Sequence, residues 1–202
     1  MTVVNLSFAA CGFMGIYQLG AVGAFLRHGN MLLASMRACA GASAGALVAS
    51  VVITAPDKLE HCKEFTYRFA SNIRRQTFGP LTPGYDFMME LRDGIEDILP
   101  SNAHLLANER LHISITNSRT GKNSMVSSFT SRDDLIKVLL ASSFVPIYAG
   151  LKPVEFQGQF SKDNIKRLNQ ALFPPSLPRM QAIHQEGYED ALRFLRTEGW
   201  MQ

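Results

Sequence analysis

The 202 residues fit one domain, or one domain with a short appendage. With 47% hydrophobic and 18% charged residues, the composition excludes a disordered chain. A net charge of +3, with no basic run longer than Arg74-Arg75, sets aside a nucleic-acid binder.

Cys11, Cys39 and Cys62 make no disulfide framework and fit a reducing, intracellular compartment. Arg27 is the first charged residue and Asp57 the first acid. The uncharged opening has no positive flank, which argues against a signal peptide. Asn5, Gln18 and several glycines interrupt it, which argues against a transmembrane span. A buried strand followed by a buried helix accounts for the missing charge.

In chain order, residues 3–10 are apolar and β-branched and predict a strand ended by Cys11-Gly12. Residues 15–27 predict a helix apolar on most of its surface, with Gly20 and Gly23 placed for close packing. A short strand at 37–40 and a second uncharged helix at 44–54 follow. Pro56 suits the first turn of another helix, whose Leu59, Cys62, Phe65, Phe69 and Ile73 recur every three or four positions. A Gly/Pro loop at 78–84 leads to a helix marked by Phe87, Leu91, Ile95 and Ile98 and stopped by Pro100. Residues 111–116 alternate as a strand does, and a turn at 118–122 joins them to a strand at 124–129. Ser131 with Asp134 resembles a capping box opening a helix to about Ser142. Residues 153–157 predict one more strand. After Gln159 the strand signals stop, and 164–172 and 180–196 predict amphipathic helices around Pro174-Pro175. The alternation predicts an α/β layered fold, divided into a core at 1–159 and a helical segment at 160–202.

Gly41-Ala42-Ser43-Ala44-Gly45 fits G-x-S-x-G between a strand and a helix. In such an elbow the glycines omit side chains where strand and helix crowd together. The serine hydroxyl is exposed at the apex, and the Ala44 N–H faces a developing oxyanion. The alternative is a tight junction with a structural serine. Cys11-Gly12-Phe13-Met14-Gly15 lies at a second strand–helix junction. Its glycine spacing and the distance to the next acid do not match a dinucleotide site. An oxyanion-binding loop or plain packing glycines remain as readings. Of the five histidines, only His184 lies late enough for a Ser–acid–His triad, and its place on an amphipathic helix reads as a surface histidine. No local pattern places a histidine beside Cys11 to make it a nucleophile. The apolar passage at 78–89 reads as core or as a lipid-facing lid.

The segment 5–20, the Gly41–Gly45 motif and Ala141-Ser142-Ser143-Phe144-Val145-Pro146-Ile147-Tyr148-Ala149-Gly150 resemble the animal branch of the patatin-like phospholipase family. The resemblance runs from about Asn5 to Gln159 and resumes in the last forty residues. It implies a three-layer α/β/α fold and a Ser–Asp dyad with Ser43 as nucleophile. It also implies an oxyanion hole built from Gly12, Phe13, Gly15 and Ala44, with Gly41 and Gly45 forming the elbow. The implied substrates are lipid acyl esters (triacylglycerols, phospholipids, retinyl esters), with acyl transfer as a variant and no metal or organic cofactor. Peripheral contact with a membrane or lipid-droplet surface inside the cell goes with them. The family's aspartate sits in an Asp-Gly-Gly or Asp-Gly-Ala motif after its Val-Pro-x-Tyr segment. Here Asp163 stands at about that distance but is followed by Asn164, so it is either the dyad aspartate or a helix N-cap. The abrupt change at Gln159 implies an internal deletion that truncates the sheet on its C-terminal side. A chain so shortened is either an active hydrolase or an impaired one that binds lipid or partners.

Overall fold

The structure is a computed structural model describing residues 3–79, 82–117, 120–143 and 173–201. Its sheet holds β1 (Val4–Phe8), β2 (Met36–Ala42), β3 (Leu111–Thr116) and β4 (Asn123–Val126), in that spatial order. The first three strands run parallel and β4 returns antiparallel to β3. Register aligns Phe8 with Gly41, Gly41 with Ile113, and Ile113 with Val126 across one face. Phe8, Gly41 and Ile113 in that row are buried, while Asn5, Ser7, Thr116 and Met125 on the opposite face are exposed. The period of two in the sequence thus sets which face the core covers.

That core is centred on α3 (Ala44–Thr54), which packs on β1, β2 and β3. Nine of its eleven residues are buried, as expected of a helix without a polar face. Its two inner hydroxyls are satisfied within the helix: Ser50 Oγ donates to the Leu47 carbonyl and Thr54 Oγ1 to that of Ser50. Around α3 stand α1 (Gly15–His28), α4 (Leu59–Arg75), α5 (Phe87–Ile98) and α7 (Arg132–Ser143). Two one-turn helices, α2 (Asn30–Ala34) and α6 (Ala103–Ala107), complete the connections. Helix starts follow the local chemistry. Asp86 caps α5 by accepting from the Met89 N–H at 2.9 Å. At the start of α7, Ser131 Oγ accepts from Asp134 N–H while the Asp134 carboxylate reaches back to Thr130 N–H.

The last helix, α8 (Leu177–Thr197), lies against α1. A Cβ on Gly20 would overlap the His184 carbonyl oxygen, and one on Gly187 would overlap that of Tyr17. The two backbones therefore approach closely, at each point a glycine of one helix against a carbonyl of the other. Tyr17 OH donates to Asp190 at 2.8 Å, and His28 pairs with Tyr188 at 2.8 Å on either side of the crossing.

The architecture is mixed α/β with a mainly parallel sheet, as the sequence predicts. β1 and β4 are shorter than predicted, and α8 begins at Leu177, with Pro178 in its first turn. The strand predicted at 153–157, the helix at 164–172 and the division at Gln159 lie outside the described residues.

The helix crossing gives a paired test. Gly20→Ala is expected to destabilise the fold by about 1–3 kcal/mol, because its methyl meets backbone. At Gly23 a Cβ would sit 3.6 Å from Leu59, an ordinary contact, so Gly23→Ala is expected to be neutral or stabilising by up to ~1 kcal/mol. Urea denaturation of both variants checks the contrast.

Candidate active site

β2 passes into α3 through Ser43, which has φ 53° and ψ −129°. Among the described non-glycine residues only Glu109 shares a positive φ. Such a conformation costs on the order of 1–3 kcal/mol and persists only where the surroundings impose it. Here they do. A Cβ on Gly41 would overlap the Gly45 carbonyl oxygen, and one on Gly45 would overlap that of Phe8 and lie 2.6 Å from that of Ala9. The Ser43 carbonyl accepts from Ala46 N–H at 2.8 Å and begins the helix. Its N–H donates to Ser142 Oγ at 2.8 Å, and Ser142 Oγ donates to the Ser114 carbonyl at 2.7 Å. The Ala44 N–H, first in α3, has no acceptor within the helix.

The loop after β1 lies alongside. Gly12 has φ +52° and opens a 3₁₀ turn over Gly12–Met14 that runs into α1. A Cβ on Gly15 would sit 3.3 Å from Ala44 Cβ, so the N-termini of α1 and α3 are neighbours. Gly15 N–H is bonded back to the Gly12 carbonyl. Gly15 thus makes a close approach to Ala44 while its own N–H is engaged within the turn. The Phe13 side chain is buried, its ring 5.7 Å from that of Phe69.

Gly12, Phe13, Gly15, Ser43 and Ala44 line one cavity of about 810 Å³. That is room for a drug-sized or larger ligand. Its far wall is apolar, built from Leu47, Val51, Phe65, Phe69, Leu91 and Ile95. Phe65 and Phe69 stack at 5.5 Å, and Phe87 approaches Phe69 at 4.9 Å. Among the described residues no charged side chain and no histidine lines it. His184 sits on α8, where burial and then Lys63 lower its pKa. His61 pairs with Asp97 at 2.6 Å. Asp163 lies outside the described residues. The 78–89 passage splits: Phe87 faces the cavity, while Phe78 and Met89 are 66% and 58% exposed. Among the described residues no group of three His, Cys, Asp or Glu gathers to hold a metal, and no helix is long and apolar enough to cross a membrane.

The sequence motifs thus converge in space, but the Ser142 bridge is not legible from them. Its partners are 99 and 28 residues away, and such a bond leaves no local pattern.

Residues 6–168 match the patatin-like phospholipase family. The chain belongs to that family. Human patatin-like phospholipase domain-containing protein 4 is 49% identical to it across the whole of both chains. That alignment runs over 253 residues and exceeds this chain's 202 by 51, so the patatin-like relative carries internal chain that this one lacks. Human omega-hydroxyceramide transacylase is 29% identical over 95% of this chain and 46% of its own length. The crystal structure of the type III effector protein ExoU covers 96% of this chain and 53% of its own, at 14% identity and a TM-score of 0.48.

Burial pushes the Cys11 thiol, on the cavity wall, up to about 12, and Cys62 likewise; Cys39 rises to about 11. All three thiols are therefore neutral in the native chain at pH 8. Iodoacetamide at that pH is expected to alkylate all three in urea and to leave Cys11 unmodified in the folded chain, as read by mass spectrometry. The linkage has a definite sign. The folded chain holds these protons after the unfolded thiols ionise near 9, so stability is full below pH 9 and falls as the pH rises toward 12.

Proposed function

We propose that this patatin-like chain is a serine lipid acyl hydrolase. Its substrates are esters of the triacylglycerol, phospholipid or retinyl ester class, and acyl transfer to an alcohol is the alternative to hydrolysis. The observation that carries the reading is a serine at positive φ, beside two helix N-termini, on the wall of a cavity that no charged side chain lines among the described residues. An apolar chamber of that size suits acyl chains, and the helix ends suit an anion.

In this reading Ser43 is the nucleophile and Asp163 the base. The Asp163 carboxylate takes the hydroxyl proton as Ser43 Oγ attacks the ester carbonyl carbon. The carbonyl electron pair moves onto oxygen, which accepts hydrogen bonds from the N–H groups of Ala44, Gly12 and Phe13. As the tetrahedral intermediate collapses, the C–O bond to the alcohol breaks. The leaving oxygen takes the proton back from Asp163, and the acyl group stays on Ser43. Water, or an acceptor alcohol, then gives its proton to Asp163 and attacks the acyl ester. Release of the acid, or of a new ester, returns the proton to Ser43. Exposed Phe78 and Met89 make the peripheral contact with a membrane or lipid-droplet surface where such substrates reside.

A second reading is a patatin-like chain that holds lipid or a partner without turnover. It is favoured by Asn164, which stands where the family motif has glycine, and by the shortfall of 51 positions.

Fluorophosphonate labelling of the purified chain separates the two. Covalent labelling of the parent is expected, and its loss in a folded Ser43→Ala variant. Ester hydrolysis by that variant is expected to fall on the order of 10⁴-fold or more. Asp163→Asn is expected to fall comparably with its thermal melt unchanged. A folded parent that takes no label supports the binding reading.

A further inference from the structure

The Ser142 hydroxyl occupies an unusual position in the fold. The ladder between β2 and β3 ends at the pair Ala42–Ser114. One residue further on, the backbone of Ser43 turns to φ 53°, and its N–H leaves the sheet. That N–H precedes α3, so no helical carbonyl lies behind it to accept. Ser142, at the end of α7, fills the gap. Its Oγ accepts from Ser43 N–H at 2.8 Å and donates its own hydrogen to the Ser114 carbonyl at 2.7 Å.

A hydroxyl has one proton to give, and this one is committed to backbone. Ser142 is therefore not placed to act as an acid or as an oxyanion donor, although it lines the same cavity. With both roles engaged, its rotor is fixed. The helix that carries it is fixed as well, because Leu135, Ile136 and Leu139 of α7 are fully buried. The hydroxyl acts as a one-atom rung that extends the β2–β3 ladder past the point where the nucleophile's backbone departs from it.

We infer that Ser142 is a positioning residue, which holds the Ala42–Ser43 peptide and so sets the direction of Ser43 Oγ. This rests on Ser43 being the nucleophile. The glycine contacts force the elbow to be tight, but they act on Gly41 and Gly45 and leave the plane of the 42–43 peptide unspecified. The bond to Ser142 specifies that plane. Without it the Ser43 N–H has no acceptor, and the strained φ has one constraint fewer. An error of about an ångström at a reacting atom is worth on the order of 10²-fold in rate.

The test is Ser142→Ala, with Ser142→Thr to restore the hydroxyl and Ser142→Cys as a weaker hydrogen-bonding isostere should the alanine variant fail to fold. Three readouts are taken on the full chain: the fluorophosphonate labelling rate, kcat and KM for a short-chain ester, and amide hydrogen exchange at Ser43. In Ser142→Ala the Ser43 amide is expected to lose protection while Ala46 and Leu47, bonded to the Ser43 carbonyl, keep theirs. Labelling and kcat are expected to fall about 10- to 100-fold with KM within about twofold. The Thr variant is expected to recover most of the loss. A folded Ser142→Ala or Ser142→Cys chain with parental Ser43 protection and labelling rate overturns the inference. If the parent itself takes no label, the nucleophile reading has failed instead. The exchange at Ser43 then decides the hold by Ser142 by itself: lost protection supports it and unchanged protection overturns it.

Discussion

The approach of α3 to the end of β1 governs the rest of the molecule. Gly45 lies directly on the carbonyls of Phe8 and Ala9, with no space for a single carbon between them. That contact brings the first turn of α3 against the loop that follows β1. Gly15 therefore meets Ala44, and two helix N-termini come to share one small region. The same crowding leaves Ser43 no route between strand and helix except one with positive φ. A glycine pair, chosen for absence of bulk, thus sets both the strain at the serine and the partial positive charge beside it.

The surroundings make that charge count. The cavity has no charged wall among the described residues, and its far end is aromatic and aliphatic. In such a medium the dipoles of unpaired N–H groups are screened far less than in water. The helix behind the serine avoids the opposite difficulty of buried polar groups without partners. Its Ser50 and Thr54 turn their hydroxyls back onto its own carbonyls, so α3 buries nine of its eleven residues and leaves neither hydroxyl unpaired.

Much of this was legible in the sequence, and the exceptions have physical causes. Residues 44–54 and 111–116 coincide with α3 and β3 because an uncharged run and a strict alternation were each bounded by clear stops. The five-residue helices α2 and α6 were invisible because one turn has no periodicity to read. β1 ends at Phe8, where its partner Gly41 enters the elbow, although Ala9 and Ala10 continue the apolar pattern. Phe65, Phe69 and Phe87 were readable as an inward stripe, but periodicity reports only the face a residue takes. It does not tell whether that face meets another side chain or an empty chamber, and here it meets both. The elbow and its loop were identifiable from their glycines, whereas the Ser142 bridge depends on chain 99 residues away.

The bare backbone contact between α1 and α8 bears on the order in which the molecule assembles. The elbow and the loop beside it are encoded within the first quarter of the chain, yet the helix that begins in that loop is covered by residues 177–197. Contacts so distant in sequence form late, because the loop they close must first be ordered. On a ribosome, β1, β2 and α3 emerge together and have their partners at hand, while α1 waits with an apolar side uncovered. The elbow is then made before the helix that covers its neighbour, and the loop beside it is held only once that helix has docked.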